Sequence, residues 1–409
     1  MNIDKKDAMQ LVCFSHLPWK FVYQRPQHLL SRFANKYPVF YVEEFIYNAE
    51  KDGYTITVIS EDLKVVVPHL NNTLPTKLTE TQRLENILDN LFKLSSIDSY
   101  IFWYYTPMAL GYTANFSPRV TVYDCMDELS AFKFAPPALK MLEQQLFKKA
   151  DIVFTGGNTL YEAKKTQHKN IYSFPSSIDK AHFISARNVS EENEDQKVIP
   201  HPRLGFYGVI DERFDIDLIR QAADAKPDWH FVLIGPIIKI DAATLPQNNN
   251  IHYLGAKSYD ELPQYLSGWD IALIPFAINE STRYISPTKT PEYLAGGKPV
   301  ISTAITDVVN PYSNEGLVRI VQTGNDLVEK ATIELSITDK TEWLTRVDSY
   351  LATMSWDATW ASMDELVQQE IDKDQHLLNI KINKYVRLYD SRRRFGGVSA
   401  GRAVSVKSQ

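Results

Sequence analysis

The chain has 409 residues, 44% of them apolar and 23% charged, and 44 Lys and Arg against 50 Asp and Glu give a net charge of −6. That length predicts two domains, and that composition is the one of an ordinary globular protein. The acidic balance argues against a nucleic-acid binder, which should carry a basic stripe, and no stretch approaches the roughly 20 apolar residues of a membrane-spanning helix.

The first half alternates apolar strands with helical patterns. Residues 9–15 read as a strand, followed by a loop holding Trp19 and the run Tyr23-Gln-Arg-Pro26. Pro26 opens a helix, and 39–42 is the next strand. Residues 54–60 and 63–68 alternate like a hairpin or two edge strands. A helix over 79–94 places Leu84, Ile87, Leu88, Leu91 and Phe92 on one face. Strands at 100–104, 119–123, 151–155 and 171–174 enclose helices at 136–149 and 158–165. Residues 188–196 are acidic and aperiodic, and Pro200 and Pro202 follow, so 188–202 reads as a linker after a first domain of 1–187.

The second half repeats the alternation over 203–355. Strands are expected at 204–208, 230–235, 251–255, 270–276 and 299–302, with helices between and after them. Ser258-Tyr-Asp-Glu261 has the form of a capping box. Such alternation predicts two doubly wound α/β domains, with a ligand cleft at the carboxyl ends of their strands. A last helix is expected over 356–375, and 376–409 is expected as a basic, poorly ordered tail. With permitted codons, a one-base shift over 385–408 spells a peptide similar to the start of a flavin-binding Rossmann protein such as UDP-galactopyranose mutase. The tail is therefore also readable as an overlap with a downstream frame.

Between the strands at 270–276 and 299–302 sits one short helix. Ser286 or Thr288 can cap it, Pro287 and Pro291 fall near its start, and Gly296-Gly297 ends it. A helix start offers free N–H groups and the positive end of a dipole, which suits a phosphate. Lys289 in the first turn is the wrong charge for helix stability. An anionic ligand would explain it, and so would plain solvation. Glu292, one turn on, can accept two sugar hydroxyls.

Three blocks carry a family resemblance. They are Trp19-Lys-Phe-Val-Tyr-Gln-Arg-Pro-Gln-His28, then Val122-Tyr-Asp-Cys-Met-Asp-Glu128 continuing to Phe174-Pro-Ser-Ser-Ile-Asp179, then Gly205-Phe-Tyr-Gly208 through Glu261-Leu-Pro263 and 270–301. Together they resemble bacterial glycosyltransferases of the GT-B fold, related to family 4 and to teichuronic-acid-type polysaccharide enzymes. The resemblance implies two Rossmann-like domains facing a central cleft, with a C-terminal helix crossing back to the first. It implies an acceptor-binding first domain and a second domain that binds the nucleotide half of a UDP- or GDP-linked sugar. The acceptor would be a growing cell-surface polysaccharide or lipid-linked glycan.

Carried over residue by residue, Glu292 matches the family's ribose-binding glutamate. Gly208, Arg213, Ser286, Thr288 and Lys289 are the remaining donor-site candidates, with Arg213 and Lys289 as the phosphate clamp. Many relatives carry another glutamate eight positions before Glu292, where this chain has Tyr284. Glu280 and the 286–288 segment are candidates for part of its role. Asp127, Glu128 and His16 are candidate general bases or acceptor-orienting groups, and Trp19, Arg25 and Gln27 are candidate acceptor contacts. Each has a plainer reading as a cap, a salt bridge or a loop residue. No cofactor or metal is expected, because the fold usually needs none.

No Gly-x-Gly-x-x-Gly follows a strand, which argues against a nicotinamide dehydrogenase. A nucleotide-sugar epimerase and a non-catalytic sugar-nucleotide scaffold remain as rivals. Cys13 and Cys125 show no metal or redox spacing, so the expected location is the cytoplasm, with peripheral contact at the inner face of the membrane left open.

Overall fold

The computed structural model describes residues 9–395 apart from 74 and 190, with side chains described to residue 380. The 396–409 part of the expected tail lies outside the described residues.

The first sheet is built from β1 (Gln10–Phe14), β2 (Val39–Val42), β3 (Ile46–Tyr47), β4 (Gly53–Ser60), β5 (Leu63–Leu70), β6 (Tyr100–Tyr104), β7 (Val120–Cys125), β8 (Ile152–Thr155) and β9 (Ile171–Ser173). Its order is β3-β5-β2-β1-β6-β7-β8-β9, parallel except for β4, which forms an antiparallel hairpin with β5. The second sheet holds β10 (Arg203–Tyr207), β11 (His230–Ile234), β12 (Ile251–Gly255), β13 (Ile271–Ile274), β14 (Val300–Thr303) and β15 (Val318–Val321). Its order, β12-β11-β10-β13-β14-β15, is the doubly wound one. The strand order reverses between β1 and β6 in the first sheet and between β10 and β13 in the second. The loops leaving β1, β10 and β13 therefore open where a doubly wound sheet binds ligands.

The strands read as continuous apolar runs because both faces are covered. Val12 and Phe14 point into one core of the first domain, and Leu11 and Cys13 into the other. The helix Glu80–Ser95 buries Leu84, Ile87, Leu88, Leu91 and Phe92, the face expected from the sequence.

Three boundaries differ from the expectation. Ile178, Phe183 and Ala186 pack in the core of the second domain, so the chain crosses over before residue 187. The 188–202 stretch is no free linker, because Glu192, Asp195 and Gln196 have partners in the second domain. Gln196 is fully buried and bonds the Tyr265 carbonyl and the Trp269 indole, each at 2.9 Å. Glu192 pairs with Arg203 at 2.5 Å, and Asp195 with Lys257 at 2.6 Å. The last helix runs from Trp356 to Phe395, so it includes the first twenty residues of the expected tail. Its start packs on the first domain through Trp356, Met363, Val367 and Ile371.

Candidate active site

A cavity of about 570 Å³ lies between the domains, a size suited to a small-molecule ligand. Six cations line it (Lys20, Arg25, Arg213, Lys239, Lys257 and Lys289) against three carboxylates, Asp127, Asp211 and Glu292. A positive cleft in a chain of net charge −6 favours an anionic ligand.

The helix Lys289–Ala295 forms part of the wall. Thr288 is its N-cap residue but makes no side-chain cap bond, and Pro287 precedes the helix. The expected capping by Ser286 or Thr288 is thus absent. Thr288 already has helical φ and ψ (−56°, −31°), where a side chain does not reach back to the first turn. The other end is as expected: Gly297 takes φ +75°, and Lys298 N–H bonds the Tyr293 carbonyl at 3.1 Å.

Lys289 is partly buried, with its ammonium 5.9 Å from the ring centres of Phe206 and Phe276. Among the described residues no carboxylate lies within ion-pair distance of it. Burial lowers its pKa, opposed by the charge of Glu292. Gly208, at the end of β10, has φ +146°, and a Cβ there would lie 2.3 Å from Lys289 Cε. A side chain at 208 would displace the lysine.

Glu292 is 6% exposed and accepts a 2.8 Å bond from the Tyr207 hydroxyl. Burial pushes its pKa up to about 7, against the pull of Lys289 and Tyr207. Arg213 is chelated by Asp211, with Nε at 3.0 and 3.1 Å and Nη2 at 2.6 Å. Its guanidinium lies 5.2 Å from the ring centre of Phe132, which comes from the first domain. Tyr207, Asp211 and Phe132 were missed in the sequence. Tyr207 and Asp211 flank Gly208 closely enough to have been suspected, whereas Phe132 reaches the site from another domain with no local signal.

The three carboxylates of Asp124-Cys-Met-Asp-Glu128 have different fates. Asp124 is fully buried and takes Arg25 Nε at 3.0 and 3.1 Å and Nη2 at 2.8 Å. Glu128 pairs with Lys164 at 2.6 Å and is not among the residues lining the cavity. Burial works against its charge, yet Lys164 and Ser130 hold its carboxyl below the usual range. Asp127 alone faces the cavity. Burial pushes it up to about 6, against the charges of Arg213 and Arg25.

The remaining expected residues separate as well. His16 lines the cavity beside Trp19. Burial lowers its pKa to about 4, so it is neutral at pH 7 and a weak base, and its buried Nδ1 has no hydrogen-bond partner among the described residues. Arg25 touches the cavity wall, but its guanidinium is engaged by Asp124 and by the Phe174 carbonyl at 2.7 Å. Gln27 is 1% exposed and lies outside the cavity lining, because its carboxamide closes the capping box of the helix Arg25–Phe33 and bonds the Trp19 carbonyl at 2.8 Å. Ser286 lines the cavity, and its carbonyl accepts a 2.7 Å bond from Ser176 of the first domain. Tyr284 packs against the core of the first domain rather than lining the cavity, and Glu280 pairs with Arg283 on the surface.

Comparison with known proteins places this geometry. Residues 201–336 match the family model for glycosyl transferases group 1. A Bacillus subtilis protein named as a teichuronic acid biosynthesis glycosyltransferase, TuaH, is 24% identical over 241 residues. The match covers 54% of this chain and 60% of that protein. A sucrose-phosphate synthase from Thermosynechococcus elongatus superposes with a TM-score of 0.65 at 15% identity, over 88% of this chain and 98% of its own. HepE from Anabaena, solved with UDP and glucose, superposes with a TM-score of 0.62 at 13% identity, over 88% and 99%. The chain therefore has the two-domain GT-B fold, and its match to glycosyl transferases group 1 falls on the second domain, over residues 201–336.

Proposed function

We propose that this chain is a glycosyltransferase that moves a sugar from a UDP- or GDP-linked donor to a hydroxyl of a cell-surface glycan or lipid-linked acceptor. The observation that carries the reading is Lys289, an ammonium on the cleft wall with no described carboxylate partner, one turn from Glu292. A desolvated cation costs free energy unless an anion meets it, and a donor diphosphate supplies that anion. Lys289 and Arg213 neutralise charge as the diphosphate leaves, which is the larger electrostatic task of the reaction. Glu292, held by Tyr207, accepts ribose hydroxyls. Asp127, opposite them on the first domain, orients the acceptor hydroxyl or takes its proton. The reading invokes no metal. Arg25, Gln27 and Glu128 support the site from behind, and Trp19 remains the acceptor-side contact.

The relatives support this reading through the fold and the group 1 domain. No described helix is long and apolar enough to cross a membrane. A cytoplasmic site of action, at the inner face of the membrane, is part of the proposal.

The test is calorimetric titration of a nucleotide-sugar panel into wild type, Glu292→Ala and Lys289→Met. One nucleoside diphosphate class is expected to bind. Each variant should lose about 1–3 kcal/mol, or roughly fivefold to 150-fold in affinity. Equal binding by both variants would refute the site. Turnover without any acceptor, giving an isomerised donor, would favour the epimerase instead.

A further inference from the structure

Asp127 sits between two anchored neighbours. On one side Arg25 holds Asp124. On the other, Lys164 joins Glu128 at 2.6 Å and Glu143 at 2.8 Å, with the Tyr123 hydroxyl bonding Glu143 at 2.9 Å. The backbone between them is also pinned. Gly156 N–H bonds the Cys125 carbonyl at 2.9 Å, and a Cβ on Gly156 would lie 2.3 Å from the Met126 carbonyl oxygen.

Lys164 ends the short helix Asn158–Lys164. The other end of that helix is gripped from the second domain. Asp307 accepts bonds from Asn158 N–H at 2.9 Å and Thr159 N–H at 3.0 Å, and from the Thr159 hydroxyl. A helix of this length is a rod of roughly 10 Å. It runs from a contact with the second domain to the residue next to Asp127.

We propose that Lys164 is a positioning residue for Asp127, acting through Glu128, and that the helix carrying it ties the place of Asp127 to the docking of the second domain. The proposal rests on the reading of Asp127 as the working carboxylate of the cleft. Lys164 lies behind the cavity and is only 5% exposed, so it does not touch substrate. A buried lysine between two carboxylates is a poor source of stability compared with apolar packing, but it fixes geometry. Placement matters here, because a shift of about 1 Å in a reacting group can cost roughly a hundredfold in rate.

The test compares Lys164→Met, Lys164→Arg and Asp307→Asn with wild type, each checked for a cooperative thermal transition. Carbon-13 carboxyl titration reads Asp127, assigned by its loss in Asp127→Asn. Wild type should titrate near pH 6. In Lys164→Met that midpoint should move by about half a pH unit or more, because Glu128 loses its anchoring cation and the surroundings of Asp127 change with it, and Lys164→Arg should restore it. Asp307→Asn should shift it the same way by less. With the donor that wild type uses, kcat should fall about tenfold or more in Lys164→Met while donor KM moves less than about twofold. Should Lys164→Met not fold, Asp307→Asn carries the test, since it leaves the Lys164 pairs intact. Wild-type titration of Asp127 in the folded variants overturns the proposal. If wild type binds no nucleotide sugar, the functional reading falls instead, and the titration still decides whether Lys164 holds Asp127.

Discussion

At the scale of single residues, burial and partners decide which charged groups are free to act. Asp124 and Glu128 each face a cation in ion-pair contact, and among the described residues Asp127 has none. Its pKa near 6 stands above the ordinary value of about 3.9. The sign follows from which state holds the proton more tightly. The folded form does, so the group's favourable contribution is full below about pH 4 and is lost as pH rises through 6. Asp127→Asn should therefore be more stable than wild type at pH 8, by about 1–2 kcal/mol after allowance for partial exposure. The gain should vanish at pH 4, and urea unfolding at the two pH values measures it. If Asp127 is the base, wild-type kcat/KM should also fall below about pH 6. Burial pushes the His16 pKa down to about 4, below that limb.

At the scale of elements, the helix that begins at Trp356 shows how packing outranks local pattern. Trp356, Met363, Val367 and Ile371 close one face of the first domain's core. Met363 is fully buried, and its sulfur lies 4.0 Å from Arg25 Nη2, the cation that holds Asp124. Met363→Ala should cost about 2–5 kcal/mol in urea unfolding, through lost contacts and the cavity left behind. The apolar face of this helix was legible to Ile371. Beyond it Leu377 and Ile380 are about half exposed, so no periodicity marked the continuation to Phe395. Other elements divide in the same way. The buried strands were legible because both-face coverage makes continuous apolar runs, whereas β15 was missed because four residues with Arg319 among them show no pattern. The acidic 188–196 stretch read as a linker because its cations, Arg203 and Lys257, lie elsewhere in the sequence. Lys289, Glu292 and Asp127 were visible as oddities or motif matches. The engagement of Arg25, Gln27 and Glu128 was not, since each partner is set by the fold.

At the scale of the molecule, the cleft is shared property: Asp127 comes from one domain, Lys289 and Glu292 from the other. The domains meet on one side through Asp307 and through Ser176 with Ser286. On the other side a first-domain loop reaches over. The Phe132 ring lies 5.2 Å from the Arg213 guanidinium and 5.6 Å from the Lys239 ammonium, and Lys133 bonds the Lys239 carbonyl at 3.1 Å. A ligand touching both domains binds the docked arrangement better and so shifts the population towards it. Phe132 helps to hold that arrangement before the ligand arrives, with each cation–ring contact contributing about 0.5–2 kcal/mol. Phe132→Ala should therefore weaken nucleoside diphosphate binding by about fivefold, which is roughly 1 kcal/mol. The core of either domain is untouched, so the thermal midpoint should hold. Small-angle scattering should show a larger radius of gyration for the free variant than for free wild type, with the two converging at saturating ligand. Weakened binding with no change in the free radius would instead mean that Phe132 acts on Arg213 locally, as a surface for its guanidinium rather than as a bridge between domains.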